Sequence, residues 1–481
     1  MLFRARSLLL LTITWILSCT QNPEIVDPLG GKTFWSYKID LTGSGTSMEL
    51  VQVSAYLAGV SAHAKIYVEV DRGVTQAQVD QLLYEFETNI YPNLQQNLAD
   101  PLDVNEDGKV TFLLIDIQDS YQKQGDSYLG GYFDPFNMYR ETSVILNAQR
   151  RSNEEDMLYM DIYPSIINSK NFLATMAHEY QHLLQFSYRY REQLSQEYTW
   201  LDEGISEVSS DISGYGPQTS RLKYGDNSLS SGNSFFTWDS VVQDYSNAYL
   251  LLRYLADVYG DQFIFDLFRD PLIGIDSLQN ILQNQNDSAF LANCNSFSSN
   301  IQREEVYCAL VRMWQSMLNI QDSDIHYFEL SSNSFSLATS SSKAFSSDIS
   351  ALTENITSRS NASLYSNSSS FSYLPGGYTI LNGVSRSFNG TNTNYTLLRS
   401  AGSGVSVLFN HNFNSAEPDF ASGAAVLSSL SYANNLGAMA TRDTQQGLQK
   451  FIHLSIPPTL ESKLQLATGS PSSSSLQPDT Q

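Results

Sequence analysis

The stretch Phe172-Leu173-Ala174-Thr175-Met176-Ala177-His178-Glu179-Tyr180-Gln181-His182-Leu183-Leu184 decides how this 481-residue chain is read. Phe172, Leu173, Met176, Ala177, Tyr180, Leu183 and Leu184 recur at helical spacing, which predicts a buried or half-buried helix. His178 and His182 are four apart and project from the same face, so their imidazoles can share one tetrahedral ion. Glu179 stands beside that ion, where a carboxylate can take a proton from water and pass it to a leaving amine. The chain has only six histidines. Chance would produce this pattern in roughly one such sequence in several hundred.

A tetrahedral catalytic site needs a third protein ligand. The segment Trp200-Leu201-Asp202-Glu203-Gly204-Ile205-Ser206-Glu207 supplies it, with Glu203 lying 21 residues after His182. That spacing leaves room for a loop and a return helix facing the first. Glu203 and Glu207 are four apart and share one face of the second helix. Glu203 is assigned as the ligand. Glu207 is assigned as the acceptor that orients a ligand histidine through its other ring nitrogen, and the reverse assignment stays open. Trp200, Leu201, Ile205 and Val208 demand burial beside these carboxylates, which argues against a solvated acidic face.

His-Glu-x-x-His with a Glu about twenty residues later resembles the gluzincin metallopeptidases, and the form here is similar to the hyicolysin-type bacterial peptidases. The matching pieces are Asp103-Val104-Asn105-Glu106-Asp107-Gly108-Lys109-Val110, Gly130-Gly131-Tyr132-Phe133, Ser152-Asn153-Glu154-Glu155, the two metal segments, and Tyr254-Leu255-Ala256-Asp257-Val258-Tyr259-Gly260. They span residues 60–270. Asp202 stands where many gluzincins carry Asn. The resemblance implies an α+β zincin-like metallopeptidase domain, with zinc between a mixed sheet-and-helix upper lobe and a helical lower lobe. It also implies a Tyr or His that stabilises the developing oxyanion. Tyr245, just before a predicted helix, resembles the tyrosine in that position, against a core-packing reading in a chain with 28 tyrosines.

Asp103-x-Asn105-x-Asp107-Gly108 resembles the first half of a calcium loop, but Leu114 stands at the twelfth position, where an EF-hand has Glu. A calcium site completed by other residues and an Asx-rich turn before a strand are both open readings.

The rest of the chain sets the context. Arg4 and Arg6 precede an apolar stretch over 8–17 that ends in Ile16-Leu17-Ser18-Cys19. This resembles a lipoprotein signal peptide (1–18), with Cys19 as the acylated residue and a polar tether over 19–43. The membrane partner would then be engaged through the lipid, and a bacterial, exported location follows. Cys294 and Cys308 remain for a small disulfide loop in an oxidising compartment, with two unpaired thiols as the alternative. A net charge of −23 repels phosphate backbones, so no nucleic-acid partner is expected.

Strands are predicted over 65–70, 110–117, 143–146 and 157–163, with a helix capped by Thr75 and another over 249–268. The metallopeptidase domain is placed at 44–330. A Ser/Asn-rich, β-sandwich-like domain follows at 340–460, and 461–481 is a Ser/Pro-rich disordered tail. The expected function is a zinc metalloendopeptidase that hydrolyses peptide bonds in extracytoplasmic proteins or peptides by a zinc-activated water. The competing reading is a surface-displayed binding lipoprotein on a zincin scaffold without turnover. The presence of Glu179, which a scaffold does not need, favours the enzyme.

Overall fold

The computed structural model describes residues 31–41, 47–124, 126–148, 150–216, 221, 234–238, 242–288, 303–318, 325–327, 375–382, 395–399, 405–413, 449–451, 456 and 458–468. The chain begins with β1 (Lys32–Asp40), β2 (Ser47–Val60), β3 (Ala64–Glu69) and α1 (Gln76–Glu85), then β4 (Val110–Ile115) and β5 (Tyr128–Phe133). Next come α2 (Glu141–Ala148), β6 (Met157–Asp161), α3 (Lys170–Arg191) and α4 (Thr199–Ser210). The helices α5 (Val242–Tyr259), α6 (Gln262–Arg269), α7 (Gly274–Asn284) and α8 (Glu304–Leu318) follow. The strands β7 (Ile325–Tyr327), β8 (Tyr378–Asn382), β9 (Tyr395–Arg399), β10 (Val405–Asn410) and β11 (Gln449–Phe451), and the short α9 (Pro458–Glu461), complete the described elements.

Seven strands form one mixed sheet in the order β1-β2-β3-β4-β6-β5-β11. Its centre is parallel, β3 with β4 and β4 with β6, while β5 runs antiparallel to β6. Val110-Thr111-Phe112-Leu113-Leu114-Ile115 is buried along its whole length, as a central parallel strand covered on both faces should be. On one face Ile66, Val68, Phe112, Leu114, Leu158 and Met160 join the main core with α1, α3 and α4. The opposite face carries a second cluster built from Phe34, Tyr37, Leu113, Ile115, Tyr132 and Tyr159. Thr75 caps α1 as the sequence predicts, with a reciprocal bond from Gln78 completing a capping box.

Several boundaries differ from the sequence reading. Within the tether expected over 19–43, Lys32–Asp40 is a strand that pairs in antiparallel register with β2. Phe34 and Ile39 are fully buried there, and they overrule the polar composition around them. The strand expected near 143–146 is the helix α2. Only Ser143 and Val144 of that run face the core, while Ile145 and Leu146 face solvent, a helical and not an alternating pattern. The single helix expected over 249–268 is two, α5 and α6, broken at Gly260, whose φ of 84° leaves the helical region.

The β region is not separate from the rest. β7, β9, β10 and β8 form a four-stranded sheet in that order. Its Tyr378, Leu398, Val407 and Phe409 join the core cluster that holds Tyr307 and Trp314 of α8. A small sheet with one apolar face must bury it, and the helices supply the partner. β11 belongs to the main sheet instead. Residues 461–468 of the expected tail belong to the fold, since Leu464 is buried and Ala467 donates to the Met138 carbonyl. Residues 1–18, Cys19 and Cys294 lie outside the described residues, and Cys308 is fully buried in α8. No helix among the described residues is long and apolar enough to cross a membrane.

Candidate metal centre

The site is made where α3 and α4 pack against each other, with β5 along one side. Ser169 caps α3 by accepting from the Phe172 amide, and the helix then runs 22 residues through the core. α4 can approach closely because Gly204 faces α5. A Cβ at Gly204 would lie 2.8 Å from Leu252 Cδ1 and 3.2 Å from Ala248 Cβ. Beside it, Glu203 turns toward α3. β5 approaches α3 through Gly131, where a Cβ would sit 3.0 Å from Thr175 Cγ2 and 3.3 Å from Glu179 Cγ.

His178 Nε2 lies 3.1 Å from His182 Nε2 and 3.0 Å from Glu203 Oε2, and the remaining edge, His182 Nε2 to Glu203 Oε2, is 3.5 Å. Four donors at zinc-ligand distance around a tetrahedral ion stand about 3.3 Å apart. The triangle therefore fits zinc. Among the described residues these three are the group of His, Cys, Asp or Glu donors close enough to hold one ion. All three are buried.

One carboxylate sets the His182 ring. Asp202 Oδ2 lies 3.2 Å from His182 Nδ1, and the Ser206 hydroxyl, which donates to Gln181, is at 3.2 Å from the same nitrogen. Burial opposes the His182 charge, yet Asp202 and Glu203 outweigh it and hold the ring's pKa well above its ordinary value. For His178 burial wins over the pull of Glu203, and its pKa falls. Glu203 is held well below the usual carboxylate range, because His182 and His178 overcome the cost of burial.

Glu207 lies 3.8 Å from His178 Nδ1, and its Oε1 accepts from Arg221 Nε at 2.9 Å. The Arg221 guanidinium also sits 4.7 Å over the Tyr245 ring. Tyr245 is buried, packs edge-on against Trp238 and feels the charges of Glu203 and Glu207. Glu207, expected to orient a ligand histidine, therefore stands 3.8 Å from the His178 ring nitrogen and bonds Arg221 instead, while Asp202 and Arg221 carried no assigned role in the sequence. The Asp202 signal was available, since a carboxylate directly before the ligand shares its helix turn with the facing His182. Arg221 lies 14 residues past Glu207 without helical periodicity to mark it.

Glu179 is buried, and neither carboxylate oxygen has a hydrogen-bond partner in the protein among the described residues. Burial, opposed by His182 and aided by Glu203, pushes its pKa up to about 8.

The loop with Asp103, Asn105 and Asp107 leads into β4, and just before it Leu102 donates its amide to the Ser187 hydroxyl of α3. Asp103 accepts from the amides of Asp107 and Gly108 at 2.9 and 3.0 Å, and Asp107 accepts from Lys109 at 2.9 Å. Lys65 pairs with Asp107 and with Glu155. These oxygens bond the loop's own backbone in an Asx-type turn, with Gly108 at φ 68°.

The chain is 31% identical over 232 residues to the neutral metalloprotease ShpI of Staphylococcus hyicus. The matched region is 45% of this chain and 51% of that protein, so the chain spans about half the length of the curated relative it matches. No family model matches the chain. A mixed sheet with helices around a His-His-Glu site is consistent with a metalloprotease domain.

Proposed function

We propose that this chain is a zinc metalloendopeptidase of gluzincin type that hydrolyses peptide bonds in proteins outside the cytoplasm. The observation that carries the reading is the triangle of His178, His182 and Glu203 donors with Glu179 on the same helix turn. Similarity to a neutral metalloprotease supports it.

His178, His182 and Glu203 would hold the ion. When bound, zinc supplies Lewis-acid polarisation of the scissile carbonyl and makes water more acidic. Glu179 takes the proton that the attacking water loses and delivers it to the leaving amine. Its raised pKa suits a group that must both accept and release a proton near neutral pH. Asp202 fixes the orientation of the His182 ring, and Glu207 stands by His178. The Tyr245 hydroxyl donates to the carbonyl oxygen as negative charge develops there. Export with a lipid on Cys19 is part of the same reading, supported by the apolar run before Ser18-Cys19.

Zinc content of the purified chain, measured with casein cleavage in wild type and Glu179→Ala, tests the function. One zinc per chain, with chelator-sensitive cleavage lost in the variant, is the expected result. Bound zinc without cleavage would transfer the reading to a binding scaffold. Absence of zinc would refute the site.

A further inference from the structure

β5, whose Gly131 lies against Glu179, has one edge occupied by the chain's own C-terminal segment. On one side β5 pairs with β6, Gly131 opposite Met160 and Phe133 opposite Leu158. On the other it pairs in parallel with β11, Gln449 opposite Tyr128, Lys450 opposite Leu129 and Phe451 opposite Gly131. Gly131 is the residue whose missing side chain lets β5 touch Glu179. The strap is pinned downstream as well. Ile456 and Leu464 are buried, Arg140 donates its amide to the Gln465 carbonyl at 2.7 Å, and Leu466 bridges to Tyr139.

A protein substrate reaches such a centre as an extended chain, and extended chains bind by adding to an open strand edge. The sheet has two outer strands, β1 and β11, and the β1 side is separated from β5 by four other strands. Without β11, the open edge beside the proton carrier is that of β5. In the present conformation His178, Glu179 and Glu203 are 0–1% exposed and His182 is 6% exposed.

We propose that Gln449–Phe451 is an internal occupant of the substrate-strand position, so that this conformation is latent and an incoming peptide must displace β11. This rests on the peptidase reading above. Among the described residues three of β11 pair, and a register shift between Lys450 and Phe451 interrupts the ladder. So interrupted a ladder holds the edge weakly enough for a regular peptide strand to replace it, while the pinned residues beyond keep it close enough to return.

The test uses the full-length, zinc-loaded chain and its Lys450→Pro variant, since proline removes a ladder donor. Hydrogen exchange at the amides of Tyr128, Gly130 and Gly131 reads occupancy, since the Leu129 amide is held by the Asp119 carboxylate. Fluorescein-labelled casein, followed by anisotropy in a Glu179→Ala background, reads competition. In wild type these amides are expected to be protected. Lys450→Pro should speed their exchange at least about tenfold with α3 unchanged, and should tighten casein binding about fivefold or more. With Glu179 intact, kcat/KM should rise by a similar factor.

If α3 also loses protection, the Tyr128→Cys/Gln449→Cys pair replaces the proline variant, because paired strand positions are within disulfide reach. Oxidation should then weaken casein binding and reduction restore it. Unprotected amides in wild type, or casein affinity unchanged by both manipulations, would overturn the proposal. Affinities that move as expected in a chain that never cleaves casein would uphold strand competition and refute the peptidase reading instead.

Discussion

Asp202 illustrates how one carboxylate next to a ligand works through its neighbour. Its Oδ2, 3.2 Å from His182 Nδ1, fixes the ring so that Nε2 faces His178 and Glu203. Asp202→Asn should weaken zinc binding about 10–100-fold, the cost of losing a charged partner behind a ligand histidine. Competition against a chromogenic chelator measures this, with unchanged circular dichroism as the control for folding.

A second carboxylate, Asp156, is buried with Oδ1 unbonded in the protein, and burial together with Asp103, Asp107 and Glu155 pushes its pKa up to about 8. Its pKa in the unfolded chain is near 3.8. Between those values the folded state binds the proton and the unfolded state does not. Stability therefore falls as pH rises from about 4 to about 8 and stays low above that. Asp156→Asn lacks this slope. It should exceed wild type by about 2 kcal/mol at pH 9, and the gap should close by pH 4, as read from urea unfolding.

At the scale of elements, two glycines decide whether the site closes. Gly131→Ala would place a Cβ 2.8 Å from the Tyr159 carbonyl of β6, a backbone atom that cannot swing aside, and 3.0 Å from Thr175 Cγ2 of α3, straining β5 against both. A stability loss of about 1–3 kcal/mol is expected, together with at least a tenfold fall in kcat/KM on casein. Thermal melts and peptidase assays on the same preparation measure both. Gly204→Leu drives a side chain into Leu252 and Ala248 of α5, displacing α4 and with it Glu203. Zinc affinity and melting temperature should fall together, because the same helix shift causes both losses. The N-cap Ser169 is a milder probe. Ser169→Ala should cost about 1 kcal/mol and leave zinc binding unchanged, since the cap lies more than two turns from His178.

For the molecule as a whole, the proposed metal would be a stability term. Three buried donors meet at one point between two helices, so an ion there joins α3 to α4. Zinc at one hundred times its dissociation constant adds about 2.7 kcal/mol. Stripping it with a chelator should lower the melting temperature by roughly 3–4 °C. Glu203→Ala should show no such chelator effect. Calorimetry of wild type and variant with and without chelator checks both statements.

Much of the site was legible in local pattern. The helical spacing of Phe172, Met176, Tyr180 and Leu183 placed His178 and His182 on one face. Trp200, Leu201, Ile205 and Val208 required the Glu203 helix to bury its carboxylates. These readings come from periodicity and residue chemistry, which act within one element. What the sequence could not determine depends on contacts between distant segments. Phe34 and Ile39 look like parts of a polar leader until β2 pairs with them. Val144, Ile145 and Leu146 favour a strand until only one of them finds the core. Arg221 reaches Glu207 and Tyr245 through packing without any motif, and β11 lies hundreds of residues from the strand it covers. Side-chain type and spacing settled which groups can do chemistry. Chain closure settled which of them meet, because burial and strand pairing are properties of the assembled core.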